Sequence, residues 1–354
     1  MGDSHKDIQP QSYFKKYLVY IAFFLVITLF TLYYIYKFFG KPERFLIITG
    51  FSRELIILLI IMLILYHILD GLRLYYILKA LNHSVQFRHI FKLVFINLFI
   101  SNITPFATGG GFAQVYFLQQ RGIPLGNATA ATTLRTVLAT IIITGSTPII
   151  LVTRSRLGRV FPGDSLIIYL IFFTFLYSAI FYAAVFRNKY LKKFIYHSLH
   201  YLHQKGIISR KKYRKAIRYL FEHVDMFRNK LYYFFTGNPP YVVLTILFTL
   251  LFLLSEFSFS VILIRGMGYQ VSAITIILMQ VLVIFIMYFA PTPGASGVAE
   301  GGYSLLFSRF VEKKDIFPLI FSWRFFTKYI GITIGMIIFF IVIYREKVSE
   351  YVQN

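Results

Sequence analysis

The chain is constrained most by the recurrence of apolar runs about 20 residues long, the length an α-helix needs to cross roughly 30 Å of hydrocarbon. Soluble helices keep a polar face, but Tyr17–Tyr36 and Tyr241–Ile264 are apolar nearly all round. Only 14% of the 354 residues are charged, where a soluble domain carries about one quarter. Six runs read as full spans: Tyr17–Phe39, Leu55–Leu78, Ala128–Val152, Ser165–Phe186, Tyr241–Ile264 and Phe317–Tyr344. The fold class is an all-α polytopic membrane protein, one membrane domain over residues 1–354.

Two further apolar stretches are interrupted. Ile90–Ile103 runs into TPFATGGG and resumes at Phe112; Ile274–Ala290 runs into PTPGASGVAEGG and resumes at Tyr303. Proline removes a backbone donor, and clustered glycine lets a chain turn where other residues cannot. Each stretch is therefore expected to be a helix, a sharp break and a second short helix. The break residues are Pro105, Gly109, Gly110 and Gly111 in the first, and Pro291, Pro293, Gly294, Gly297, Gly301 and Gly302 in the second. Irregular backbone at membrane depth must be buried in protein or line a polar cavity. The two stretches are accordingly read as re-entrant hairpins, with full crossings as the open alternative.

The landmarks repeat. Thr104-Pro105 matches Thr292-Pro293, Arg135 lies 30 residues after Pro105, and Arg324 lies 31 after Pro293. Upstream, Asp70 precedes Pro105 by 35 residues and Glu256 precedes Pro293 by 37. Residues 17–152 and 165–344 then form two halves of three full spans each. An odd number of spans inserts the second half upside down, which is the inverted repeat of many secondary transporters.

The formal net charge of +23 is concentrated. Arg187–Lys230 holds thirteen Lys and Arg against two acids, a net of +11. Lys and Arg enrich cytoplasmic loops of membrane proteins, so residues 187–239 read as a cytoplasmic loop that also attracts anionic lipid headgroups. No RNA-binding signature supports nucleic acid instead. This places both termini in the cytoplasm and the protein in the cell (cytoplasmic, inner) membrane. Lys6, Lys15, Lys16, Arg345 and Lys347 agree, whereas Lys41, Arg44, Arg53, Arg154, Arg156 and Arg159 then fall outside and fit poorly. Within the loop, Tyr213, Ile217, Leu220, Phe221 and Val224 recur at helical spacing among basic residues, as in a helix lying on the leaflet.

Ionisable groups inside a bilayer are expensive and mark function or a paired structural lock. The candidates for substrate binding are Asp70, Arg135, Glu256, Glu300, Arg324 and Lys328. Asp70 and Arg73, one turn apart, can neutralise each other. Arg324 and Lys328, four apart, need an anion or a carboxylate such as Glu300. Arg135 has no acid nearby in sequence and suits a phosphate or carboxylate, gripped bidentately. Helices starting near Phe112 and Gly302 would aim their N-termini at the breaks and add positive potential. Alanine at Arg135 or Glu300 is expected to abolish headgroup transfer with folding intact.

Enzyme signatures are missing. GGGFAQ lacks the Lys-Ser/Thr of a P-loop, and there is neither a His-Glu-x-x-His nor a Gly-x-Ser-x-Gly motif. Cysteine is absent, and His197, His200 and His203 read as loop residues more readily than as a metal site. No cofactor, metal or catalytic residue is expected.

The segments NLFISNITPFATGGGFAQVYFLQQRGIP, LRTVLAT, FAPTPGASGVAEGG and FSWRFFTKYIG resemble the lysylphosphatidylglycerol synthase transmembrane-region family, the flippase-like UPF0104 group. The more specific motif, Pro-x-Pro-Gly-x-x-Gly-Val-x-Glu-Gly, is matched at Pro291–Gly301. The resemblance implies a domain that moves an anionic or aminoacylated phospholipid, or a related amphiphile, between leaflets by alternating access. In some relatives the domain flips lipid made by a cytosolic aminoacyl-transferase. Here the chain ends ten residues after the last expected span, so no such transferase is expected. Two other readings stay open: an integral-membrane transferase using a lipid-linked donor, and a transporter of a small soluble anion.

Overall fold

A computed structural model of the chain describes residues 47–146, 149–150, 188–206 and 208–353, with scattered positions between 22 and 37 and between 168 and 182. Over the continuous segments the helices are α1 (Arg53–Ala80), α2 (Phe87–Ile103), α3 (Thr108–Gln119), α4 (Leu125–Gly145), α5 (Asn188–Gln204) and α6 (Arg210–Gly237). Then follow α7 (Pro239–Gly266), α8 (Ala273–Met287), α9 (Val298–Phe307), α10 (Lys313–Arg324) and α11 (Ile330–Gln353). The described residues contain no strand. Of the expected spans Tyr17–Phe39 and Ser165–Phe186 only scattered positions are described, and these are helical.

Among the described residues, four segments are long and apolar enough to cross a membrane: Arg53–Ala80, Leu125–Gly145, Pro239–Gly266 and Lys313–Val342. Their outward faces are apolar, with Ile57, Ile61 and Ile64 on α1 and Val243 and Leu247 on α7 exposed. A contiguous exposed apolar face of this kind suits lipid, not water. The protein is a multi-pass α-helical membrane protein.

Two compact units divide the chain. The first takes in Met1–Ile68, Phe91–Tyr116 and Leu254–Asn354; the second takes in Leu69–Ile90 and Phe117–Leu253. Each unit draws on both sequence halves.

In the first unit both interrupted stretches are helix, break and helix. A straight 15-residue helix such as α8 covers about 22 Å, short of the roughly 30 Å core. α8 is nevertheless buried nearly all round, from Ile276 to Phe285, because α9 packs against it. Next to it, Tyr303 of α9 stacks on Phe307 at 4.0 Å and meets Trp323 of α10 at 4.6 Å.

The glycines of the first stretch do a different job from the expected turn. α3 begins at Thr108, not near Phe112, so Gly109–Gly111 lie inside its first turn. A Cβ on Gly110 would sit 1.8 Å from Ser101 Oγ and 2.8 Å from the Asn97 carbonyl. Gly110 is thus small because α2 passes against it. The same logic holds in Gly331-x-x-x-Gly335 of α11, a small-residue pattern that lets membrane helices approach closely. There a Cβ on Gly335 would sit 2.1 Å from the Phe95 carbonyl oxygen.

In the second unit α5 and α6 pack as a helical hairpin, and α6 also packs on α4. The expected stripe of Tyr213, Ile217, Leu220 and Phe221 is half-buried while Arg214, Lys215 and Arg218 are exposed; the Val224 side chain lies outside the described residues. Lys192 of α5 binds Asp225 of α6 at 2.5 Å and lies 5.4 Å from the Phe221 ring. His203 stacks on Tyr213 at 5.0 Å and His200 on Tyr196 at 5.7 Å. The described residues hold no cluster of three His, Asp or Glu suited to a metal. On α4, Thr132, Thr136, Thr140 and Thr144 each bond the carbonyl four residues back, which satisfies hydroxyls in apolar surroundings.

Two outcomes follow from this packing. Gly335→Ala forces a methyl onto a backbone carbonyl and is expected to destabilise by about 1–3 kcal/mol. Gly111→Ala, where nothing lies within 4 Å, is expected to be neutral or stabilising by up to about 1 kcal/mol. Thermal unfolding in detergent compares the two, and equal effects would contradict the close-approach reading. In the α7–α8 loop, Tyr269 donates to Asp315 at 2.6 Å. Burial first, and that bond second, push its hydroxyl from 10.0 up to about 12. The folded state holds this proton more tightly than the unfolded chain does. Its stabilising contribution is therefore complete below pH 10 and lost as pH rises from 10 to about 12. Tyr269→Phe is expected to flatten that alkaline decline in a pH series of unfolding temperatures.

Candidate functional site

The two breaks share one backbone conformation. In each, an extended threonine precedes a proline: Thr104 has φ −110° and ψ 143°, Thr292 has φ −79° and ψ 149°. Two consecutive left-handed residues follow, Phe106 and Ala107 at φ 54° and 53°, Gly294 and Ala295 at φ 59° and 54°. Glycine accepts that region freely, whereas other residues held there cost about 1–3 kcal/mol each and persist only where the surroundings over-determine them. The surroundings here are each other, because Pro105–Ala107 packs directly against Pro293–Ala295 within the first unit.

Each break is closed by an internal cap. Thr104 Oγ1 donates to the Ile100 carbonyl and accepts the Gly109 N–H at 3.0 Å, so it ties the end of α2 to the start of α3. The second short helix starts at Val298 rather than near Gly302, with Gly297 at φ 87° preceding it. Glu300, in its first turn, reaches back to accept the Gly297 N–H at 2.7 Å. This is the carboxylate half of a capping box, and it places a negative charge at the positive end of the helix. The anion expected at this helix end is therefore supplied by the motif's own glutamate. Gly301 and Gly302 lie within α9, facing open space.

The candidate ionisable residues fall into three clusters. In the second unit, Asp70 receives Arg135 bidentately, Nε at 3.2 Å and Nη2 at 2.5 Å. Arg73 Nη1 donates to the same carboxylate at 3.1 Å, and its Nη2 donates to the Arg135 carbonyl at 2.8 Å. Arg73 also lies 4.3 Å from the Phe252 ring centre. The bidentate grip expected of Arg135 on a ligand is thus made on Asp70, 65 residues away.

The other two clusters lie in the first unit. Arg324 Nε donates to Glu300 at 2.7 Å and Nη2 donates to the Gly294 carbonyl at 3.2 Å. The side chains are 2% and 1% exposed, so this pair is sealed into the second break and holds its strained turn. Lys328 Nζ meets Glu256 at 3.2 Å, with side chains 15% and 6% exposed. Arg324 and Lys328 avoid mutual repulsion by taking different carboxylates. The π-turn Phe325–Tyr329 starts directly after Arg324 and contains Lys328, and its wider winding shifts Lys328 out of α-helical register with Arg324.

A cavity of about 270 Å³ opens over the packed breaks. Phe106, Ala107, Gly294 and Ala295 line it from the breaks, and Glu256 and Lys328 line it from α7 and the π-turn. Asn97, Ser101 and Asn102 on α2 supply uncharged polar groups. Sequence reasoning named the charges but not these three residues, whose spacing along one face of α2 was the available signal.

Similarity to known proteins bears on the same region. The model of the lysylphosphatidylglycerol synthase TM region matches residues 18–335. A UPF0104 membrane protein of Archaeoglobus fulgidus is 22% identical over 324 residues, covering 90% of this chain and 95% of its own length. A UPF0104 membrane protein of Methanocaldococcus jannaschii is 33% identical over 120 residues, covering 33% of this chain and 36% of its own length. The match spans both breaks and all three ion clusters, and the chain belongs to the lysylphosphatidylglycerol synthase TM region family.

Proposed function

We propose that this protein moves a phospholipid, or a related amphiphile, between the leaflets of the bilayer. The observation that carries the reading is the cavity formed where two helix breaks pack together, lined by an ion pair inside an apolar helical unit. A polar headgroup enters that cavity while the acyl chains stay in lipid, so the hydrocarbon core no longer opposes the headgroup's transfer. The matched backbones of Thr104–Ala107 and Thr292–Ala295 support an inverted repeat. In that arrangement the breaks are re-entrant and alternate in access to the two leaflets. The exposed Arg214, Lys215 and Arg218 of α6 face anionic headgroups of the cytoplasmic leaflet, which sets the orientation. The chain acts as a transporter, not an enzyme.

One second reading has support in the name of the family, which refers to a synthase. In that reading the cavity holds a lipid-linked donor for group transfer. It differs in outcome, since purified protein then forms product from donor and acceptor without net transbilayer movement.

Proteoliposomes containing acyl-labelled phospholipid test the transport reading by the rate at which label becomes accessible to an outside quencher. The double variant Glu256→Gln/Lys328→Met removes both cavity charges together. Replacing an ion pair as a unit is far gentler than orphaning one partner. Its transfer rate is expected to fall at least about tenfold, the effect of losing a charged hydrogen bond, with its unfolding temperature little changed. Wild-type transfer by this variant would sink the assignment. Glu300→Ala is expected to behave differently from what the sequence suggests. It leaves Arg324 buried without its carboxylate and uncaps α9, a loss of about 3–5 kcal/mol. It should therefore fail to accumulate as folded protein, as size-exclusion chromatography of the solubilised chain would reveal.

A further inference from the structure

The two ion pairs of the first unit differ in how much of their bonding capacity is used. Glu300 takes Arg324 on one oxygen and the Gly297 N–H on the other, and Arg324 also holds the Gly294 carbonyl. Glu256 and Lys328 share a single contact at 3.2 Å. An ammonium has three donors and a carboxylate about four acceptor positions, so both groups keep capacity facing the cavity they line. Uncharged donors and acceptors of Asn97, Ser101, Asn102 and Thr292 complete its polar wall. Among the described residues, the charged side chains lining the cavity are thus one acid and one base.

This balance decides what fits. A headgroup with only negative charge would take the spare donors of Lys328 but set a second anion beside the Glu256 carboxylate, two negative charges on one ammonium in a poorly solvated site. A purely cationic group would likewise set two cations on the one carboxylate. We propose that the cavity selects a zwitterionic lipid headgroup, a hydrogen-bonding ammonium and a phosphate of net charge near zero. The ammonium lies on Glu256 and the phosphate on Lys328 with the α2 amides. This rests on the cavity being the headgroup site and narrows the substrate class from the anionic or aminoacylated phospholipid, or related amphiphile, that the sequence suggested. The size agrees, since a cavity of about 270 Å³ holds on the order of nine water-sized groups at about 30 Å³ each, the scale of a phosphate joined to a short amine. The occupant is a lipid rather than a free zwitterion because Leu98, Ile284 and Met287 share the wall, and Phe106 at its edge is 63% exposed.

The test is binding by the purified full chain in detergent, titrated with phospholipids of identical labelled acyl chains bearing ethanolamine or glycerol headgroups. The ethanolamine lipid is expected to bind at least about tenfold more tightly, the difference that one charge-assisted hydrogen bond supplies. Glu256→Gln should abolish this preference while retaining the glycerol lipid. If that variant does not fold, Glu256→Gln/Lys328→Met must lose the preference as well. Soluble glycerophosphoethanolamine at equal concentration should fail to displace the labelled ethanolamine lipid. Equal affinity for the two lipids, preference for the glycerol lipid, a preference that survives loss of Glu256, or displacement by the soluble compound would each overturn the proposal. The same preparations reconstituted in vesicles separate this claim from the transport reading. Headgroup preference without transbilayer movement ends the flippase reading alone, whereas movement without preference ends the headgroup assignment alone.

Discussion

Hydrocarbon offers no partner to a charge or a broken backbone, so every such group in an apolar chain must be answered from within the protein. The described parts of this molecule are arranged around those answers. Asp70 and Arg135 join α1 to α4 across 65 residues, Glu300 and Arg324 join α9 to α10 across 24, and Glu256 and Lys328 join α7 to the π-turn across 72. Misplacing any one helix would strand a buried ion, at a cost of several kcal/mol. These contacts therefore specify which helices meet, in surroundings where apolar side chains gain little by preferring one another over lipid. The breaks obey the same rule. Thr104 and Glu300 close the helix ends that proline and left-handed residues open, and the two breaks shield each other.

Features that act locally were legible in the sequence. The interruptions at Thr104-Pro105 and Thr292-Pro293 follow from what proline does to its own backbone, and they stand where expected. Four of the six expected apolar spans have counterparts among the described residues, legible because length and hydropathy suffice for them. Features that depend on a neighbour were not. Gly109–Gly111 look like turn residues by composition, yet they sit in a helix because α2 runs against them. Arg135 looked unpartnered because its carboxylate is distant in sequence, and Asp70 looked satisfied by Arg73 alone. Nothing about phenylalanine announces the left-handed backbone of Phe106, which only the facing break imposes. Gly331-x-x-x-Gly335 carries a close-approach pattern in the sequence itself, less conspicuous than the richer glycine clusters. The apolar stripe of α6 reads from the sequence as a face lying on the leaflet, whereas in the structure α5 packs on α6 and His203 stacks on Tyr213.

The division of labour among the charges changes where function should be sought. The glutamate of the most specific motif, Glu300, is saturated by a cap and a guanidinium and has almost no exposure. A group in that state holds geometry, and it has little capacity left for a ligand. Arg135 is likewise engaged on a carboxylate, although its unit retains two guanidinium groups around Asp70. The loosest pair, Glu256 with Lys328, lies outside the proline–glycine motifs and alone among the three lines the cavity over the breaks. A motif in such a chain therefore marks the scaffold that lets a helix stop in mid-membrane, while recognition falls to groups that the scaffold leaves incompletely bonded. Because those groups are one acid and one base, the site resists a large excess of either charge. Its selectivity then comes from placing two opposite charges at a fixed separation, with the neutral amides of α2 filling the space between.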